Sequence, residues 1–178
     1  MKGMLSIDVS RCVSCRTCEL ECAIAHSKAK NLFGVVQDGE KVQRRIVVEG
    51  VGPLSLPLQC RHCEDAPCIA VCPTKAMHRF GAGFPVLVEN KLCIGCRACI
   101  EVCPFGVIFT GREGAAVVKC DLCIQRLAQG ELPACAAGCP TKAITFVTPE
   151  EVAAATRRKA AAGFLVAVQS GQASGAER

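Results

Sequence analysis

The sequence predicts an α+β fold: short strands and short helices alternate around cysteine loops, and one longer helix follows them. Three observations carry this expectation. Four motifs, each opening C-x2-C and ending C-x3-C, account for all 16 cysteines of the 178 residues. Short alternating stretches flank them (LSIDV, PVLVE, GVIFT and AITFV), the pattern of half-buried strands. The segment TPEEVAAATRRKAAAGFLVAVQS opens with helix-start signals.

In chain order, the strand LSIDV leads into CVSCRTCELEC, with Cys12, Cys15, Cys18 and Cys22. A brief helix is expected over ECAIAHSKA after this motif, and another over CPTKAM after the second. Between them, VVQDGEKVQRRIVVEGVGP predicts a hairpin turning at Asp38-Gly39, with RRIVVEG as its return strand. The second motif, CRHCEDAPCIAVCP, carries Cys60, Cys63, Cys68 and Cys72. The third, CIGCRACIEVCP, carries Cys93, Cys96, Cys99 and Cys103, with PVLVE before it and GVIFT after. The fourth, CDLCIQRLAQGELPACAAGCP, carries Cys120, Cys123, Cys135 and Cys139, and AITFV follows. In the final helix Thr148 is the N-cap, Pro149 the first helical residue and Glu151 the partner in a capping box. Val152, Phe164, Leu165 and Val168 mark an apolar stripe on it, and GQASGAER reads as a frayed tail.

Cysteine at this density means a disulfide scaffold or a metal protein. Disulfides require export, and MKGMLSIDVSRC has neither an apolar signal core nor a twin-arginine pair. The run AAAGFLVAV is far short of the ~20 residues that span a bilayer. A cytoplasmic chain without direct membrane insertion is therefore expected, and there clustered thiols signal metal or redox chemistry. A C-x2-C-x2-C loop curls three sulfurs around one side of a metal centre and turns its N–H groups inward. The fourth cysteine comes too soon to close the same cage. In the bacterial ferredoxin pattern it reaches a neighbouring cluster and is followed by proline. Zinc also takes four thiolates, but usually from two separated C-x2-C knuckles, which the triplets here would crowd. Four 4Fe–4S clusters are the expectation. Spacing leaves two pairings open: neighbouring motifs in sequence, or the middle two as one unit with the outer two closing around it.

Composition excludes other classes. There is no Trp or Tyr and only 7 Phe, too few for the stacking platforms of single-stranded nucleic-acid binders. Four dianionic clusters would turn the formal +5 into about −3, so the basic residues largely offset cluster charge and no nucleic-acid partner is expected. Arg44-Arg45 and Arg157-Arg158-Lys159 read as solvated faces before they read as docking patches. No catalytic residue is expected, because His26, His62 and His78 lack any nucleophile or carboxylate arrangement. His62, between two ligand cysteines, either tunes a cluster or is a solvated loop histidine, the plainer reading. Gly81-Ala82-Gly83 is too short for a phosphate cradle.

PLQCRHCEDAPCIAVCPTKA and KCDLCIQRLAQGELPACAAGCPTKAI, with the two triplet motifs, closely resemble the four-cluster, ferredoxin-like electron-transfer subunits of oxidoreductases. That family includes the iron–sulfur subunits of dimethylsulfoxide reductase and formate dehydrogenase, and small proteins accompanying carbon monoxide dehydrogenases, hydrogenases and tungsten aldehyde oxidoreductases. The likeness covers residues 5 to 147 and implies two nested, bacterial-ferredoxin-like two-cluster units plus the C-terminal helix. Their bounds would be 1–48 with 111–148 for the outer unit, 49–110 for the inserted inner unit, and 149–178 for the helix and tail. The implied ligand sets are Cys12, Cys15, Cys18 with Cys139; Cys60, Cys63, Cys68 with Cys103; Cys93, Cys96, Cys99 with Cys72; and Cys120, Cys123, Cys135 with Cys22. Ala23 departs from the proline that follows each other fourth cysteine.

The resemblance implies an electron-transfer subunit in a hetero-oligomer. It would relay electrons between a catalytic subunit, of molybdenum/tungsten or carbon monoxide dehydrogenase type, and a flavoprotein or ferredoxin. A tungsten aldehyde oxidoreductase is the favoured partner, ahead of a carbon monoxide dehydrogenase. A free polyferredoxin and a metalloenzyme maturation factor are the alternatives.

Overall fold

A computed structural model of the protein describes residues 3–111 and 116–173. They form a small mixed fold of eight short strands and seven helices in which the cysteine loops take up much of the interior. β1 (Met4–Ile7) and a 3-10 turn at Val9–Arg11 lead into the first motif and α1 (Thr17–Ala25). α2 (Leu32–Gln37) follows, then β2 (Ile46–Val51) and β3 (Leu54–Gln59). The second and third motifs carry α3 (Pro67–Ala70), β4 (Met77–His78), β5 (Leu87–Val88), α4 (Ala98–Glu101) and β6 (Ile108–Thr110). β7 (Val117–Lys119), α5 (Ile124–Ala128), α6 (Ala134–Ala137) and β8 (Ile144–Val147) frame the fourth. α7 (Pro149–Ala173) is the longest helix.

The strands make four two-stranded sheets: β1 with β8, β2 with β3, β4 with β5, and β6 with β7. Strands this short and separate give little stability alone. They are held by two hydrophobic clusters into which the thiols themselves pack. One combines Leu5, Ile46, Val48, Leu127 and Ile144 with Cys18, Cys22, Cys135 and Cys139. The other combines Met77, Val86, Ile108 and Val117 with Cys68 and Cys99. Ile46 is 1 % exposed, so Ile46→Ala should cost about 2–5 kcal/mol. A lower guanidinium midpoint for the iron-loaded variant checks this.

The four stretches expected as strands overlap β1, β5, β6 and β8. Three local expectations need correction. The Asp38-Gly39 turn does not join two strands, because Asn31 caps the preceding residues into α2 by accepting the Gly34 N–H at 2.8 Å. RRIVVEG does supply β2, but its antiparallel partner is β3, with Ile46 opposite Gln59 and Val51 opposite Leu54. The glycine of this tighter turn, Gly52, has φ +58°. CPTKAM is a turn running into β4 rather than a helix. Helix forms earlier, around the third cysteine: α1 carries Cys18 and Cys22 at i,i+4 on one face, and in the other three motifs the fourth cysteine follows directly after the helix's C-cap.

Backbone contacts divide the molecule into a body over Leu5–Phe146 and a second containing α7. In the second, both halves of the capping box form: Thr148 N–H donates to Glu151 at 2.7 Å, and Glu151 N–H donates to Thr148 Oγ1 at 3.2 Å. Phe164, Leu165 and Val168 are exposed on this helix. The expected tail lies, from residue 174 onward, outside the described residues. Among those residues no helix is long and apolar enough to cross a membrane.

Candidate metal centres

Each C-x2-C loop is built the same way. The residue before its second cysteine (Ser14, His62, Gly95, Leu122) has φ between 51° and 70°. That left-handed step curls the chain around its sulfurs and turns successive N–H groups inward, as in anion-binding nests. Consistent with this, His62 N–H donates to Cys60 Sγ and Leu122 N–H to Cys120 Sγ, each at 3.4 Å. A second left-handed position recurs three residues after a fourth cysteine, at Lys75, Gly106 and Lys142. In both CPTKA copies the threonine hydroxyl stands 3.8 Å from the fourth cysteine's sulfur, Thr74 by Cys72 and Thr141 by Cys139.

Tertiary packing then brings distant motifs together. Cys72 lines one cavity with Cys93, Cys96 and Cys99, walled by Met77, Val88, Ile94 and Val117. Cys103 lines another with Cys60, Cys63 and Cys68, walled by Val86, Val107 and Ile108. α3 packs on α4, and α1 on α6, so helices bearing the third cysteines meet in pairs. In the other half, the negative charge of Cys139 acts on Cys15 and Cys18, and that of Cys22 on Cys120 and Cys135.

Electrostatics decides what such cavities can hold. Burial pushes the Cys18 and Cys99 thiols up to about 11 and raises Cys120 and Cys135 further. Facing thiolates add to the rise, so four of them cannot coexist in one pocket without a compensating cation. Cys72 and Cys139 move the other way. Burial opposes it, but N–H groups of Met77 and Ile144 and the two threonine hydroxyls hold both below the ordinary thiol range. Soft thiolate donors, apolar walls and inward N–H groups fit a 4Fe–4S cluster.

The supporting shell was not visible in the sequence. Asp121, inside the fourth C-x2-C, accepts from three directions: Arg45 at 2.6 Å, His26 Nε2 at 3.1 Å and the Cys123 N–H at 2.9 Å. His26 reaches back to the Cys22 carbonyl at 2.7 Å, and the Arg45 N–H donates to Cys22 Sγ at 3.3 Å. Arg44 pairs with buried Glu19 but is itself 46 % exposed, as the solvated-face reading expects; Arg45, turned onto Asp121, is the one that departs from it. His62 corrects its plainer reading too. Its Nδ1 accepts the Val86 N–H at 3.0 Å, and its buried Nε2 has no partner among the described residues. Burial and the Lys119 charge lower it to about 3, so it stays neutral.

His26 supports a pH prediction. Burial alone would lower its pKa, but hydrogen bonds to Asp121, Cys123 and Cys22 raise it from 6.5 to about 11. Since the folded value is raised, the stabilisation is complete below pH 6.5 and is lost as pH climbs toward 11. His26→Gln should remove that part of the alkaline loss. Unfolding midpoints of both proteins across this window provide the check.

A family model described as a 4Fe-4S dicluster domain matches residues 52–149. The protein is 41% identical over 148 residues to an iron-sulfur protein of Rhodospirillum rubrum, covering 76% of this chain and 77% of that one. It is 36% identical over 182 aligned positions to the electron transport protein HydN of Escherichia coli, covering 92% and 100%. With a chain of the anaerobic dimethyl sulfoxide reductase of the same species it shares 34% identity over 151 residues, 82% of this sequence and 73% of that one.

Proposed function

Because this protein belongs to the 4Fe-4S dicluster domain family, we propose that it is an electron-transfer subunit carrying four such clusters between a catalytic oxidoreductase subunit and a redox partner. The observation that carries the reading is the pair of cavities in which three thiols of one motif meet the fourth of another. The proposed ligand sets are Cys12, Cys15, Cys18, Cys139; Cys60, Cys63, Cys68, Cys103; Cys93, Cys96, Cys99, Cys72; and Cys120, Cys123, Cys135, Cys22. Two separate cores support an inner unit, proposed over 49–110, nested in an outer one over 1–48 and 111–148, although Val117 of the outer stretch packs into the inner core.

Clusters held there supply one-electron centres spaced along the chain. The protein's own part is to ligate, shield and bias them. Every cysteine of the Cys120 set is buried, whereas Cys15 and Cys96 are exposed, which supports the sets containing those two as the points of entry and exit. Exposed Val13 and Ile94 beside them offer apolar contact to a partner. Relatives named as a dimethyl sulfoxide reductase chain and an electron transport protein support a reductase-type complex.

Anaerobic metal analysis tests the cluster number: about sixteen irons per chain, with equal acid-labile sulfide, is expected for four cubanes. A tungsten aldehyde oxidoreductase is the narrower proposal for the partner. Tungsten in the co-purifying subunit supports it, and nickel or molybdenum without tungsten overturns it. A native mass equal to the chain alone would instead favour a free polyferredoxin.

A further inference from the structure

Lys119 ends β7 and is only 3 % exposed. Its ammonium donates to the Val86 carbonyl and, at 2.8 Å, to the Cys120 carbonyl. No carboxylate pairs with it among the described residues. A buried ammonium with two carbonyls as its acceptors is costly unless negative charge stands nearby.

Its two acceptors show where that charge would be. Val86 lines the cavity of Cys60, Cys63, Cys68 and Cys103, while Cys120 opens the fourth motif. The Val86 peptide is gripped on both sides, its N–H by His62 and its C=O by Lys119. Lys119 therefore stands at the seam between one inner and one outer ligand set. Its ammonium thus holds the wall of the one set and the first ligand residue of the other.

We propose that Lys119 is a buried counter-charge that raises the reduction potentials of the two clusters flanking this seam, and so sets the level of the electron hop between them. One electron leaves one cluster and arrives at the other, with no atom transferred. Whichever cluster holds it gains one negative charge, and a fixed ammonium stabilises that form more than the oxidised one. The inference rests on the ligand sets proposed above.

The test is an EPR-monitored redox titration of anaerobically prepared full-length protein, with iron counted on the same samples. Lys119→Met keeps length and removes charge; Lys119→Arg keeps charge. In Lys119→Met, two of the four cluster components should titrate at lower potential and two should not move, while Lys119→Arg stays near wild type. Unmoved potentials in Lys119→Met, or an equal fall in Lys119→Arg, overturn the proposal. If Lys119→Met fails to load iron, Lys119→Gln against Lys119→Arg decides by the same criterion. Loss of clusters in all three variants makes Lys119 an assembly residue and also overturns it. Failure of the underlying ligand sets shows separately, as missing iron or missing components in the wild type.

Discussion

Cys72→Ser is expected to damage the cluster proposed for Cys93, Cys96 and Cys99 and to spare the one proposed for Cys60, Cys63 and Cys68. Cys72 belongs to the second motif by sequence, yet it lines the cavity of the third. Its sulfur is prepared for the thiolate state by the Met77 N–H at 3.5 Å and by Thr74. A serine oxygen is a harder, more basic donor and suits iron–sulfide chemistry poorly. The loss should approach about four irons of about sixteen, confined to one EPR component. Cys103→Ser should give the reciprocal pattern at the other cavity. Damage confined to the Cys60 set in Cys72→Ser would overturn the crossed assignment.

Asp121→Ala should release the cluster proposed for Cys120, Cys123, Cys135 and Cys22 while the two proposed inner clusters persist. The carboxylate ties α1 through His26, the segment before β2 through Arg45, and its own loop through the Cys123 N–H. Against the upward push of burial, His26 and Arg45 hold Asp121 well below the usual carboxylate range. Removing it leaves two partly buried cations facing each other, a loss of about 3–5 kcal/mol for a broken buried pair. Cys22 sits one helical turn before His26, so its sulfur loses its anchor to the fourth motif. Asp121→Asn, which keeps one acceptor oxygen, should retain more iron than Asp121→Ala. Equal retention in both variants and the wild type would show that the clamp is dispensable. Cluster-specific iron loss, read by EPR with total iron, is the measurement.

Local chemistry was legible because it repeats at short range. C-x2-C spacing marks each loop, C-x3-C places third and fourth thiols one helical turn apart, and Thr148 with Glu151 marks the start of α7. The strands at β1, β5, β6 and β8 follow from alternation alone. Where alternation misled, a side chain decided: the Asn31 cap turned Leu32–Gln37 into helix and left β2 to pair with β3.

What the sequence alone determined is the supply of thiols, sixteen of them in four motifs on short loops, since residue type and loop curvature depend on neighbours within a few residues. Tertiary structure alone decided which thiols line a common cavity, and that Lys119 and the His62 Nε2 are enclosed rather than solvated. The same holds for Asp121, which joins residues 95 and 76 positions apart. Burial and facing charge are properties of packed surfaces, and no spacing rule encodes them.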